Sequence, residues 1–232
     1  MRYLLLLCLL FLCFSCSPND DDSGNNQIGN IDNTGDNDPP NDDPDPVDDP
    51  DSQNAYELLF VGNSLTLTND LPQLVKDRAE QLGITIGVTT EANPGFGLED
   101  HWNSGIIQGQ INSGFYDYVI IQQGPSSQPY GRATLIGYGE LIKELCDGVN
   151  TELAYFMVWP SLEYYYTFPG VILNYSDAAE MNNAILCPVG SHWKAYIENT
   201  EDYSYYGPDG FHPSLLGSQV AAQIIVSSLG LQ

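Results

Sequence analysis

Basic residues are scarce in this chain of 232 residues. It carries 6 Lys and Arg against 31 Asp and Glu, which gives a formal net charge of -25. Proteins that bind nucleic acid neutralise phosphates with a clustered basic surface. The composition therefore argues against nucleic acid as a partner.

Histidine and cysteine are also few, with 3 and 5 residues. They form no Cys/His cluster with the spacing of a zinc site, so we predict neither a metal nor another cofactor. Cys8, Cys13 and Cys16 lie near the N-terminus. Cys146 and Cys187 are left either to form a disulfide or to be buried as two separate thiols, and the sequence leaves both alternatives open.

A long apolar run is missing as well. Leu4–Phe14 follows Met1-Arg2-Tyr3 and has eleven residues, too few to span a bilayer but typical of a signal-peptide core. Ser15-Cys16 then resembles a bacterial lipoprotein cleavage site. The resemblance implies removal of residues 1–15, lipidation of Cys16 and export to a bacterial membrane, with the cell surface as one destination. An ordinary secretory signal and an uncleaved anchor are the alternatives.

Residues 16–54 contain the lipidated cysteine and then mainly Asp, Asn, Pro, Gly and Ser, with no Lys or Arg. Such a segment cannot bury enough apolar surface to offset the entropy lost on ordering. We predict a disordered, extended linker between the anchor and a domain at residues 55–232.

Strand-like and helix-like patterns alternate along residues 55–232. This alternation predicts an α/β fold, a three-layer α/β/α sandwich with a parallel, flavodoxin-like sheet of about five strands. The predicted strands are Glu57–Val61, Ile84–Thr90, Tyr116–Ile121, Leu153–Trp159 and Ala184–Val189. The predicted helices are Asn69–Leu82, Leu98–Ile111, Ala133–Leu145, Ser176–Asn183 and Leu215–Leu229.

In this architecture the loops that follow the strands gather at one edge and hold the functional site. The first strand ends in Gly62-Asn63-Ser64, a sharp turn in which we expect Gly62 and Asn63 to adopt backbone angles that most residues avoid. The turn makes Ser64 a candidate nucleophile.

The last loop carries Asp209-Gly210-Phe211-His212, about 145 residues later. A serine nucleophile needs a base for its proton and an anion that fixes the tautomer of that base. His212 and Asp209 have the right chemistry and spacing for these roles. The alternative is a turn that only caps the last helix.

Acyl transfer also needs hydrogen-bond donors for the oxyanion. The loop after the second strand offers two glycines, Gly95 and Gly97, at the start of a helix, where a glycine can bring its N–H close to a substrate. The loop after the third strand offers Gln122, Gln123 and Ser126.

Together these residues resemble the SGNH, or GDSL-like, serine esterases. Gly62-Asn63-Ser64-Leu65 matches the first block of the family, and Asp209-x-x-His212 matches the last. The resemblance implies that Ser64 is the nucleophile, His212 the base and Asp209 its orienting partner, with Gly95 and the Ser64 backbone N–H as oxyanion donors.

The third block departs from the family pattern. The family usually has Gly-x-Asn, whereas this chain has Gly124-Pro125-Ser126, so Ser126, Gln123 or Gln122 would have to replace the missing amide. Losing one such donor costs about 3 kcal/mol in comparable sites.

Aromatic residues are concentrated in two loops near the predicted site, at Tyr164-Tyr165-Tyr166 with Phe168 and at Tyr203, Tyr205 and Tyr206. Such rings either stack on sugars or simply pack at loop edges. The resemblance implies a serine esterase, and the tyrosines together with the predicted export lead us to expect that it removes a short acyl group, such as acetyl, from a carbohydrate. The alternatives are a glycan acyltransferase and a glycan-binding protein with little turnover. The substrate would be a small-molecule or glycan ester, and the oligomeric state is not predicted.

Overall fold

The structure, a computed structural model, describes residues 55–231, which form five parallel strands surrounded by helices. The strands are β1 (Ala55–Gly62), β2 (Thr85–Ala92), β3 (Tyr118–Ile121), β4 (Glu152–Phe156) and β5 (Ile185–Cys187). The helices are α1 (Ser64–Leu67), α2 (Leu71–Gln81), α3 (Leu98–Ser104), α4 (Ile106–Ile111), α5 (Pro129–Gly148), α6 (Phe168–Met181), α7 (Val189–Thr200) and α8 (Leu215–Ser228).

The sheet has the strand order β2-β1-β3-β4-β5, and every neighbouring pair is parallel. The chain moves from β1 to one edge through α2 and then crosses to the other side through the following helices. Because such crossovers are right-handed, this reversal places helices on both faces. In agreement, α2 packs against α8, while α5 packs against α3 and α6. The predicted α/β fold with a five-stranded parallel sheet is confirmed.

The middle strands have the composition of strands buried on both faces. Leu58, Leu59, Phe60 and Val61 of β1 are all at most 1% exposed, and Val119, Ile120 and Ile121 of β3 are equally buried. Continuous apolar runs of this kind are expected where helices cover both sides of a parallel sheet. The order reversal lies between β1 and β3, so their carboxyl ends open into the crevice where open α/β sheets bind ligands.

The helices differ from the sequence prediction in several places, and the short helix α1 was not predicted. The predicted helix Leu98–Ile111 is two helices, because Gly105 has a φ of 76° and ends the first of them. Helix α6 begins at Phe168, before the predicted Ser176, since the adjacent Pro169 suits a helix start. Helix α7 was not predicted, because Val189 was assigned to the last strand; Pro188 ends that strand instead.

The two cysteines of the described region are buried and free, Cys146 in α5 and Cys187 in β5. Of the two alternatives for these residues, the structure has the separate thiols. The predicted signal peptide (1–15) and the lipidated linker (16–54) lie outside the described residues, so these boundaries and the lipid on Cys16 stay predictions. Among the helices of residues 55–231, none combines the length and apolarity that a membrane span requires.

Candidate active site

Ser64 is the first residue of α1, directly beyond β1. Asn63 caps this helix, because its Oδ1 accepts a hydrogen bond from the Leu65 N–H at 3.1 Å. The Asn63 side chain also donates to the Phe96 carbonyl at 3.0 Å. One buried asparagine thus joins the serine turn to the loop after β2.

The backbone angles of the turn differ from the prediction, and so does the reason why position 62 is a glycine. Asn63 is extended, with a φ of -132°, and Gly62 does not have a positive φ. Glycine is required at position 62 by packing, since a Cβ there would lie 2.3 Å from Thr66 Oγ1 and 2.7 Å from Gln122 Oε1. A larger residue would push these side chains away from the turn.

The last loop presents His212 to the serine. His212 Nε2 lies 3.0 Å from Ser64 Oγ, and His212 Nδ1 lies 2.6 Å from Asp209 Oδ2. A carboxylate can only accept, so Nδ1 carries the proton and Nε2 is left to accept from the serine hydroxyl. The structure therefore brings Ser64, His212 and Asp209 into one chain of hydrogen bonds, the arrangement that a catalytic triad requires.

Asp209 also fixes the loop that carries the histidine. Its Oδ1 accepts from the backbone N–H groups of Phe211 at 3.0 Å and His212 at 2.9 Å. The hydrogen bond from His212, followed by that from Phe211, lowers the pKa of the Asp209 carboxyl below its usual value. Asp209 and His212 keep 51% and 35% of their side-chain surface exposed, so a ligand can approach the pair from solvent.

Two residues that the sequence prediction did not single out attach this loop to its neighbours. Asn69 Nδ2 donates to the Pro213 carbonyl at 3.1 Å and to Ser218 Oγ at 3.0 Å, which ties the segment after Ser64 to the start of α8. The buried Trp159 donates its indole N–H to the Phe211 carbonyl at 3.0 Å. Both contacts span more than 50 positions, so no local motif in the sequence could have indicated them.

The backbone N–H groups of Gly95 and Gly97 differ in whether they are already hydrogen-bonded. The Gly97 N–H donates to Asp100 Oδ2 at 2.8 Å in a capping interaction at the start of α3. Gly95 is exposed with a φ of 81°, and its N–H, like that of Ser64, has no hydrogen-bond partner within residues 55–231. Of the two glycines, only Gly95 therefore has a backbone N–H that is free to donate to a ligand. Its role as an oxyanion donor stays a prediction.

The third-block side chains are engaged in a buried polar cluster. Gln123 Nε2 donates to Ser126 Oγ at 2.7 Å and to Thr134 Oγ1 at 2.8 Å, while Ser126 donates to the Gly124 carbonyl at 2.9 Å. Ser126 also packs so closely on α5 that a Cβ at Gly131 would lie 2.7 Å from its own Cβ. These contacts hold the loop after β3 to α5.

Gln122 supports the nucleophile turn. Its Oε1 accepts from the Asn63 N–H and from Thr66 Oγ1, both at 2.9 Å, and its Nε2 donates to the Gln123 carbonyl at 2.7 Å. The structure thus gives Gln122, Gln123 and Ser126 contacts that hold the loops together, and their part in oxyanion binding stays a prediction.

The other two histidines lie outside the triad. His101 is fully buried, and its Nε2 donates to the Gly62 carbonyl at 2.7 Å, so it supports the end of β1. His192 is exposed on α7. Within residues 55–231, no group of three or more His, Cys, Asp and Glu side chains is arranged to hold a metal ion.

Comparison with solved structures places this site on a known fold. No protein-family profile matches the chain, and no curated protein sequence does so either. The five-stranded sheet and its helices nevertheless match those of SGNH hydrolases, so the α/β fold is the SGNH hydrolase fold. At identities below 25% this similarity shows the fold alone.

Three of the matching structures illustrate the range of identities and TM-scores. A protein from Slackia heliotrinireducens, itself only provisionally an SGNH hydrolase, is 22% identical with a TM-score of 0.65, covering 76% of this chain and 100% of its own. A lipase/acylhydrolase from Enterococcus faecalis is 15% identical with a TM-score of 0.60, covering 75% and 95%. A variant of the acetyl-xylooligosaccharide esterase Axe2 from Geobacillus is 15% identical with a TM-score of 0.56, covering 76% and 95%.

Proposed function

We propose that this protein is a serine esterase that hydrolyses a carboxylic ester through an acyl-enzyme. The observation that carries the proposal is the chain of hydrogen bonds from Ser64 Oγ to His212 Nε2 and from His212 Nδ1 to Asp209 Oδ2. The fold supports the same class, since its structural neighbours include hydrolases, a lipase and esterases.

The geometry supports a two-step reaction. Ser64 Oγ attacks the ester carbonyl while His212 Nε2 takes the hydroxyl proton, and collapse of the tetrahedral intermediate releases the alcohol with that proton. Water then attacks the acyl-enzyme, His212 accepts a proton from it, and the proton returns to Ser64 as the carboxylic acid leaves. The N–H groups of Ser64 and Gly95 are our candidate donors to the oxyanion.

We propose further that the acyl group is short, such as acetyl, and that the alcohol is a carbohydrate. Two structural neighbours are named as esterases of such compounds, one an acetyl-xylooligosaccharide esterase and the other an acetyl xylan esterase. The second has a TM-score of 0.60 at 13% identity. The third-block substitution favours a second candidate, a glycan-binding protein with little turnover, because the side chains that could replace the family asparagine are already hydrogen-bonded.

A fluorophosphonate probe followed by peptide mapping tests the esterase proposal. We expect phosphonylation of Ser64 in the full chain and none in Ser64→Ala or His212→Ala. The matched control is Ser113→Ala, which changes an exposed serine in the turn after α4 and should label like the wild type. A folded wild-type chain that resists the probe would contradict the esterase and favour the binding protein. Acyl transfer to a sugar, when a sugar acceptor competes with water, would instead favour an acyltransferase.

The proposed location is a bacterial membrane to which the chain is anchored through lipidated Cys16, after export. Its support is the sequence Ser15-Cys16 behind an eleven-residue apolar run. Mass spectrometry of the N-terminal peptide tests it, with a diacylglyceryl group on Cys16 as the expected result and an unmodified or uncleaved N-terminus as the contrary one.

A further inference from the structure

A cavity of about 670 Å³ adjoins the orienting end of the triad. Asp209 and Phe211, which flank Gly210 just before His212, border it on one side. Tyr164 and Tyr166 border it from the helical turn Leu162–Thr167. The volume lies within the range of small-ligand sites.

Its two tyrosines have their rings available to a ligand. Tyr164 is 51% exposed and Tyr166 is 76% exposed, whereas the neighbouring Phe168, which sequence reasoning grouped with them, is fully buried at the start of α6. The rings of Tyr164 and Tyr166 lie 6.3 Å apart at an angle of 63° and so present faces in two directions. Rings of this kind offer flat apolar faces against which the C–H face of a sugar can pack.

Hydrogen bonds join the start of the turn Leu162–Thr167 to the loop that carries Asp209 and His212. The Leu162 N–H donates to the Gly210 carbonyl at 2.8 Å, and the Tyr206 hydroxyl donates to the Pro160 carbonyl at 2.8 Å. Together with the bond from Trp159 to Phe211, these contacts fix the segment from 159 to 162 to both sides of Asp209. The start of the turn that carries the two tyrosines therefore has a set position relative to the triad.

The charged residues that line the cavity are acidic. Its ionisable lining residues include the carboxylates of Glu163 and Asp209, and no Lys, Arg or His borders it. A second cavity of about 410 Å³, which shares the wall formed by residues 125, 127 and 128, has Glu99 and Asp100 and again no basic residue.

The basic residues of the described region are engaged elsewhere. Lys76, Arg132, Lys143 and Lys194 each pair with a carboxylate, and Arg78 donates to Gln81. An anionic ligand in either cavity would meet like charge and no counter-ion.

We infer that the 670 Å³ cavity binds a neutral sugar unit belonging to the alcohol part of the ester, with Tyr164 and Tyr166 as its stacking platform, and that it rejects uronate and other anionic sugars. The inference rests on the proposed esterase function. The hydroxyl and amide groups of Ser127, Gln128 and Ser161, which also line the cavity, supply hydrogen bonds for sugar hydroxyls.

The test compares kcat/KM for an acetylated neutral oligosaccharide with that for p-nitrophenyl acetate, which has no sugar to reach the cavity. We expect Tyr166→Ala and Tyr164→Ala to lower this ratio about fivefold to tenfold each. Phe115→Ala is the matched control, because Phe115 is 58% exposed but precedes β3, at the opposite end of the sheet from the site. It should leave both values unchanged. A ratio that is the same in the wild type and both tyrosine variants would overturn the inference.

The charge selection has its own measurement. We expect the wild type to prefer the neutral substrate over a matched uronate-bearing one at low salt, and Glu163→Gln to narrow the preference about twofold to fivefold. A preference for the uronate ester would overturn this part.

Calorimetric titration with the deacetylated neutral oligosaccharide distinguishes failure of the proposed esterase activity from failure of the inferred sugar site. If the wild type hydrolyses neither ester but binds this sugar, and Tyr166→Ala weakens binding, the esterase fails and the sugar site stands. If the wild type hydrolyses p-nitrophenyl acetate but neither binds the sugar nor prefers its ester, the esterase stands and the sugar site fails.

Discussion

Asp209 uses both of its carboxylate oxygens to hold the loop that carries His212. One carboxylate oxygen holds the backbone of Phe211 and His212, and the other holds the His212 ring. The Asp209 carboxylate, three residues before His212, therefore both shapes the turn and sets the tautomer of the His212 ring. This is why the Asp209–His212 pair could be predicted from sequence: both partners of the interaction lie in one short loop.

Replacing Asp209 by Asn should separate these two jobs. The amide keeps an oxygen for the two backbone N–H groups but turns an N–H toward His212 Nδ1, which favours the tautomer with the proton on Nε2. That nitrogen could then no longer accept from Ser64, and we expect kcat to fall on the order of 10⁴-fold, as in other Ser-His-Asp sites. Steady-state hydrolysis of p-nitrophenyl acetate measures it.

Asp77→Asn is the control for that experiment, because Asp77 is an exposed carboxylate on α2 whose partner is Gln73. It should retain wild-type kinetics. An Asp209→Asn enzyme with undiminished kcat would show that His212 is not the base, or that its tautomer is set by another group.

The same carboxylate gives a pH dependence of stability. The hydrogen bond from His212, with that from Phe211, holds the pKa of Asp209 below its ordinary value near 3.8. Because the folded pKa is the lower one, the stabilisation is complete above the unfolded pKa and is lost as pH falls through the folded value.

We therefore expect the difference in unfolding free energy between wild type and Asp209→Asn to narrow below about pH 4. Urea unfolding between about pH 5 and pH 2 measures it. A difference that widens on acidification would contradict the lowered pKa.

At the scale of single elements, the turn between β1 and α1 shows which features sequence could not supply. The apolar run and the glycine indicated a strand and a turn correctly in position, whereas the role of Ser64 as a nucleophile stays a prediction. The predicted reason for the glycine was wrong, because packing against both Thr66 and Gln122 requires it, and Gln122 is 60 positions away and closes in only after β3 pairs with β1. Likewise, the alternation of strands and helices predicted the sheet, whereas α7 was missed because its first residue, Val189, was assigned to the preceding strand.

Gly62→Ala tests the packing explanation. The added Cβ would meet two side chains at less than 3 Å, so we expect a loss of about 1–3 kcal/mol in the free energy of unfolding and a matching loss of esterase activity. Gly137→Ala is the matched control in helix α5, where a Cβ would meet nothing within 4 Å. It should be neutral or stabilise the protein by up to about 1 kcal/mol. Equal effects of the two substitutions would exclude packing as the reason for Gly62.

At the scale of the whole molecule, acidity is shared between the described domain and the segment before it. Twelve of the 31 Asp and Glu residues precede Ala55, as does one of the six basic residues, so residues 55–232 are strongly acidic by themselves. Carboxylic ester hydrolysis yields an anion, and an acidic surface does not retain it. The same field disfavours anionic substrates, which agrees with the neutral sugar inferred for the cavity beside Asp209.

The buried thiols report on the integrity of the whole domain. Burial raises the pKa of both Cys146 and Cys187 to about 12, so both stay in the unreactive thiol form near neutral pH, and both are buried. In a full chain with Cys8, Cys13 and Cys16 replaced by serine, we expect no reaction of the native protein with Ellman's reagent. After unfolding in guanidinium, both thiols should react. Fast native labelling would mean that the core around α5 and β5 opens locally, and a failure to react when unfolded without reductant would mean that the two cysteines form a disulfide after all.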